Sequence, residues 1–120
     1  MKLVYISNPY THKDASVMNL RAARVAQLTA KLQVQHKDTH TLLSVIVHGH
    51  EIANTKDGEA LPHTWDYWEK HDYNILKRCD EMWVMCMPGW DRSVGVNAEI
   101  DFCREHNISV KFYTVEGERL

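Results

Sequence analysis

The stretch MWVMCMPGWDRSVGVNAEIDFCRE, Met82–Glu105, decides the fold. Met82 to Met87 form a continuous apolar run, which predicts a strand buried on both faces. Pro88 and Gly89 end it. A helix is predicted from about Ser93 to Glu105, with the Ser93 hydroxyl placed to cap its first turn. Strand, turn and helix in that order are one unit of a parallel α/β sheet.

The same alternation runs through the rest of the chain. Leu3 to Ile6 reads as a buried strand, ended by the loop SNPY, Ser7–Tyr10. Asp14 or Ser16 can cap a helix to about Leu32, whose apolar stripe is Met18, Ala22, Val25, Leu28 and Leu32. Arg21 falls close to that stripe, so its stem packs while its head is expected to reach solvent. TLLSVIV, Thr41–Val47, is rich in branched residues and predicts a second strand, followed by a polar loop containing Gly58 and Pro62. A helix from about Thr64 to Arg78 precedes the Met82–Met87 strand. SVKFYTV, Ser109–Val115, gives the last strand, and EGERL a polar tail. The expectation is a single α/β domain over residues 1–120, with a Rossmann- or flavodoxin-like parallel sheet of four or five strands and helices on both faces. Ligands of such sheets sit at the carboxyl ends of the strands. Three segments should therefore converge: SNPY, the HGHE loop at His48–Glu51, and PGWDRSVG at Pro88–Gly95.

Composition bounds the function. A length of 120 residues suits one domain, and 44% hydrophobic with 25% charged residues is an ordinary globular balance. The formal charge of -2 argues against a sequence-independent binder of nucleic-acid polymers, which needs a basic surface. A single nucleotide needs only a local site. Cys79, Cys86 and Cys103 are odd in number and form no CxxC pair, which fits reduced thiols in the cytoplasm. The amino terminus lacks the apolar run of a signal peptide, and no other run approaches membrane length.

The chemistry-bearing residues gather at the predicted ligand edge. Free amides at the start of the last helix, the Ser93 hydroxyl and the side-chain-free Gly95 suit a phosphate or another anion. Glu99 lies four residues after Gly95, on the same helix face. It is either a solvated helix charge or a carboxylate aimed at whatever the loop holds. Asp72 lies on the helix before the Met82–Met87 strand, with Trp65, Trp68, Ile75 and Leu76 as apolar neighbours. Two carboxylates at one pocket can divide the work of glycosidic cleavage, one at the sugar carbon and one at the leaving group's proton. Trp90 is either a base-stacking lid or a loop anchor. His48 and His50 flank Gly49 and, with His71 or Asp72, offer a rival metal centre. His50 could instead contact substrate.

Val4–Tyr10, VYISNPY; His71–Val84, HDYNILKRCDEMWV; and Ser93–Ile100, SVGVNAEI, carry a resemblance to the nucleoside 2-deoxyribosyltransferase superfamily. The chain resembles in particular its small nucleotide N-glycosidase members and an uncharacterised bacterial and phage branch, over nearly its whole length. The resemblance implies Glu99 as nucleophile and Asp72 as the aspartate that supports base and sugar chemistry. It also implies Ser93 and Gly95 as ligands of a 5′-phosphate, with Tyr5 lining the site behind the first strand. Asn8, Pro9, His50 and Trp90 complete the expected substrate-binding set. The family's first loop commonly reads Ala-Gly-Pro, whereas Ser7, Asn8 and Pro9 stand here. The expected activity is N-glycosidic cleavage of a nucleoside 5′-monophosphate or related nucleotide, by hydrolysis or base exchange. No metal or organic cofactor is expected. The expected assembly is a homodimer or higher homo-oligomer, with neither a nucleic-acid polymer nor a membrane as partner. The competing readings are a non-catalytic nucleotide sensor and a His-ligated metal-dependent hydrolase.

Overall fold

A computed structural model describes residues 1–120. One four-stranded sheet contains β1, Lys2–Ser7; β2, His40–Ser44; β3, Glu81–Met85; and β4, Ser109–Tyr113. Their order is β2-β1-β3-β4, and every adjacent pair is parallel. The helices are α1, Ala15–His36; α2, Val45–Ala53; α3, Trp65–Leu76; and α4, Val94–Glu105. From β1 the chain passes first to one side of the sheet and later to the other. The topological switch therefore lies between β1 and β3, where a crevice opens at the carboxyl ends of the strands.

Alternation along the strands divides the core. Val4, Ile6, Trp83 and Met85 pack on Val25, Leu28 and Leu32 of α1. Tyr5, Met82 and Val84 face the other way, against Leu76 at the end of α3 and Val96 and Cys103 of α4. Ser7 shares the parity of Tyr5, so the side chains of Tyr5 and Ser7 both turn toward α4. That parity builds the site.

The predicted strand Thr41–Val47 is corrected by the structure. β2 stops at Ser44, whose hydroxyl accepts from Val47 N at 3.3 Å and caps α2. Val45, Ile46 and Val47 have strand propensity, but a capped first turn and burial of Val45 override it. His48–Glu51 accordingly belong to a helix, not a loop. α1 also runs one turn beyond Leu32, because Gln33 reaches β2: its Nε2 donates to His40 O at 2.7 Å, and its Oε1 accepts from Leu42 N at 2.8 Å. No helix is long and apolar enough to cross a membrane.

Candidate active site

Glu99 is the floor of the site. It sits on α4, whose start is fixed by Ser93: the Ser93 hydroxyl accepts from Val96 N at 3.2 Å. Glu99 is only 6% exposed. Tyr5 donates its hydroxyl to Oε2, and the Ser7 hydroxyl donates to Oε1 at 2.8 Å. Burial pushes the Glu99 carboxyl up to about 8 against the pull of those two donors, and the charge of Asp72 adds to the rise.

A second buried glutamate shows what a structural role looks like. Glu81 lies at the opposite end of the sheet, between Lys2 at 2.9 Å and Lys111 at 3.0 Å, and accepts from Trp83 Nε1 at 2.9 Å. Burial opposes its ionisation too, but the three hydrogen bonds outweigh it and hold the carboxyl at about 2. Glu99 makes no salt bridge with Lys, Arg or His. A carboxylate kept buried without a cation costs stability, and perturbed groups of this kind concentrate at functional sites.

Glu99 opens into a cavity of about 820 Å³ at the carboxyl ends of the strands. The cavity gathers Asn8 and Pro9 after β1, His50 on α2, Asp72 on α3, and Ser93, Gly95 and Glu99 around α4. Tyr5 lies directly behind Glu99, fully buried. Asp72 is 7% exposed and takes a hydrogen bond with His71 Nδ1 at 2.9 Å. Burial raises its carboxyl above the ordinary range, opposed by that bond. Trp65 and Trp68 form an aromatic wall, Trp68 fixed by donating Nε1 to Pro62 O at 2.9 Å. Asn8 needs no glycine-like backbone, since Asn107 alone among non-glycine residues has positive φ. Gly89 does, with φ of 88° at the turn out of β3.

Several placements differ from the sequence expectations. Trp90 is not brought to the cavity; its ring packs against Phe112, with centroids 5.5 Å apart. Asp91 is exposed and also stays outside the cavity. His50 lines the cavity from a helix, its Nδ1 2.6 Å from the Tyr10 hydroxyl. His48 stacks near His71, with centroids 6.0 Å apart. Nowhere do three His, Cys, Asp or Glu side chains converge as a metal-ligand group. Arg21 turns its head inward instead of to bulk solvent, donating to Tyr10 O at 3.3 Å and Thr11 O at 3.2 Å. With Arg92 it lines the cavity as a cation.

Ser7, Tyr10, Arg21 and Arg92 were not among the site residues read from the sequence. Ser7 had a legible signal, its two-residue spacing from Tyr5 on a strand. Arg21 had none, because its direction is set by loop carbonyls that only the folded chain supplies.

The family model of a domain of unknown function (DUF1937) matches residues 2–115. Among solved structures, the chain is similar to the 2-deoxyribosyltransferase of the psychrotolerant bacterium Bacillus psychrosaccharolyticus. Identity is 15% and the TM-score 0.56, over 93% of this chain and 72% of that one. That likeness is one of fold: a parallel sheet between helices. No curated protein matches.

Proposed function

The chain belongs to the DUF1937 family and has the fold of a 2-deoxyribosyltransferase, and on that premise we propose that it cleaves the N-glycosidic bond of a nucleoside 5′-monophosphate through Glu99. One observation carries this reading. A buried carboxyl without a cation partner is gripped on both oxygens by Tyr5 and Ser7, at the floor of a cavity that also contains Asp72.

Each step follows from those groups. Glu99 attacks C1′ as the bond from C1′ to the base breaks, and Asp72 gives its proton to the departing base. Tyr5 and Ser7 fix the direction of attack by holding the two carboxylate oxygens. Water then loses a proton to Asp72 and attacks C1′, freeing Glu99 and a sugar phosphate. A second base entering instead of water makes the reaction a transfer. Incubation with a panel of nucleoside monophosphates should release free base; binding without release would favour the sensor reading.

The phosphate is assigned to the start of α4. Ser93 Oγ accepts from Val96 N and keeps its own proton for a ligand oxygen. The amides of Val94 and Gly95 have no intrahelical acceptor. Arg21 and Arg92 supply positive charge in the same cavity. An aspartate in place of Ser93 would repel a phosphate. Such a repulsion at ~4 Å is worth about 1 kcal/mol in water and about 4 kcal/mol at an intermediate dielectric. Ser93→Asp should therefore lower nucleotide use by at least about tenfold, roughly 1.4 kcal/mol, with less effect on the matched nucleoside. Comparing kcat/KM for the pair in both proteins checks this, and an unchanged ratio would misplace the phosphate.

Two carboxylates suffice for this chemistry, so activity should survive exhaustive dialysis against a chelator. Loss of activity on chelation, restored by a divalent metal, would favour the metallohydrolase reading. The same proposal includes a homodimer or larger homo-oligomer.

A further inference from the structure

The two oxygens of Asp72 have different surroundings. Oδ1 lies 2.9 Å from His71 Nδ1, while Oδ2 bonds to no protein group. The buried side-chain atoms without a partner are Asn8 Oδ1 and Thr29 Oγ1, so Asp72 Oδ2 is open to solvent. Asp72 lines the cavity of Glu99 and not the shallow groove on the outer side of α3, so that opening faces the cavity.

His71 faces the other way. It lines the outer groove, between α3 and α4, and takes no part in the cavity wall. Its side chain is 28% exposed, against 10% for that of Asp72. Its second nitrogen, Nε2, bonds to no protein group and is likewise open to solvent. A continuous path therefore crosses the wall, from the cavity through the carboxyl and the imidazole to the groove. His48 of α2 stacks on His71 with centroids 6.0 Å apart, and Tyr67 of α3 with centroids 6.4 Å apart. The groove adds Lys70, Lys77 and His106, and no carboxylate. On the cavity side, Asp72 faces the charge of Glu99, with Tyr5 behind it. A proton taken up at Nε2 is therefore favoured chiefly by a negative Asp72.

Base departure moves the negative charge of the site. Glu99 becomes a neutral ester, and Asp72 becomes a carboxylate as its O–H bond breaks and an N–H bond forms on the base. A donor already fixed on Oδ1 stabilises that new charge more than it stabilised the neutral acid, which is the condition for lowering a barrier. We propose that His71 is a positioning residue for Asp72: its Nδ1–H holds Oδ2 toward the leaving base, and its Nε2 takes a proton from hydronium or a buffer acid in the outer groove as Asp72 ionises. That proton leaves Nε2 when the water attacking C1′ returns one to Asp72, so protons balance over a turnover. This rests on the glycosidase reading above.

The test measures kcat and KM of the parent, His71→Ala and His71→Asn on a nucleoside monophosphate. The same measurements are made on a nitrophenyl riboside 5-phosphate, whose leaving group departs without a proton. Asparagine keeps a donor near the place of Nδ1 but cannot take up a proton. His71→Ala should lose at least about tenfold in kcat on the nucleotide, the order expected of a hydrogen bond to a charged group, with KM little changed. His71→Asn should lose activity on the nucleotide as well, and neither variant should lose much on the nitrophenyl substrate. Equal losses on both substrates, or full nucleotide activity in His71→Asn, would overturn the proposal and leave the glycosidase reading standing. Nitrogen NMR of the His71 ring in the parent requires neither turnover nor a variant. In the neutral ring the proton should sit on Nδ1; a proton on Nε2 would overturn the proposal, because Nδ1 could not donate and Nε2 could not accept. No base release from the parent would overturn the glycosidase reading, and the position of the ring proton then decides separately whether His71 holds Asp72.

Discussion

Glu99→Gln should cut base release from a nucleoside monophosphate by at least about 10³-fold, equivalent to roughly 4 kcal/mol of transition-state stabilisation. An amide cannot form the glycosyl ester that a carboxylate forms, so the loss should appear in kcat and not in KM. The same substitution should not cost stability. In the folded chain, burial raises the Glu99 carboxyl to about 8 from its ordinary 4.5. Between those two values the folded state binds more protons than the unfolded chain, so stability falls as pH rises. The contribution is complete below about pH 4.5 and lost above about pH 8. The amide of the variant has no such charge to bury, so the Tm of the variant minus that of the parent should grow from about pH 5 to about pH 9. Near-normal turnover by Glu99→Gln, or a Tm difference independent of pH, would contradict the assignment.

Asp72→Asn should produce the second large effect, a fall in kcat of about 10²–10³-fold on a natural nucleotide. The cause is specific to the leaving group. Asparagine can orient the base through a hydrogen bond but has no proton to give it. A substrate whose leaving group departs readily as an anion, such as a nitrophenyl riboside 5-phosphate, should lose far less. Equal losses on both substrates would reduce Asp72 to a packing role. His71 bears on the same point, because its Nδ1 lies 2.9 Å from Asp72 and opposes the effect of burial on that carboxyl.

The parallel fold was legible because three of its strands lie within short apolar runs, although β3 stops at Met85 and β4 at Tyr113, each two residues before the predicted end of its run. Pro88 and Gly89 follow the apolar run that contains β3, and Ser93 opens α4 where its hydroxyl was expected to cap. α2 was not legible. Val45, Ile46 and Val47 continue the apolar run of β2 without a break in composition, and the boundary is made by one hydrogen bond from Val47 N to the Ser44 hydroxyl. The site was readable where a residue type and its spacing imply chemistry. Glu99, Ser93 and Gly95 lie together around the start of one helix, and the fold alone brings Asp72 to the same cavity. Trp90 shows the limit: an aromatic residue beside a ligand loop can turn either way, and contact with Phe112 decides against the cavity. Arg21 is the converse, a helix residue drawn inward by two loop carbonyls.

The most direct test of a glutamate nucleophile is the configuration of the first product. With methanol present, the sugar phosphate is captured as a methyl glycoside whose anomeric proton is resolved by NMR. Attack by Glu99 followed by attack by methanol inverts C1′ twice, so a β-nucleotide should yield the β-methyl glycoside. An α-methyl glycoside would mean a single direct displacement and would contradict the role of Glu99.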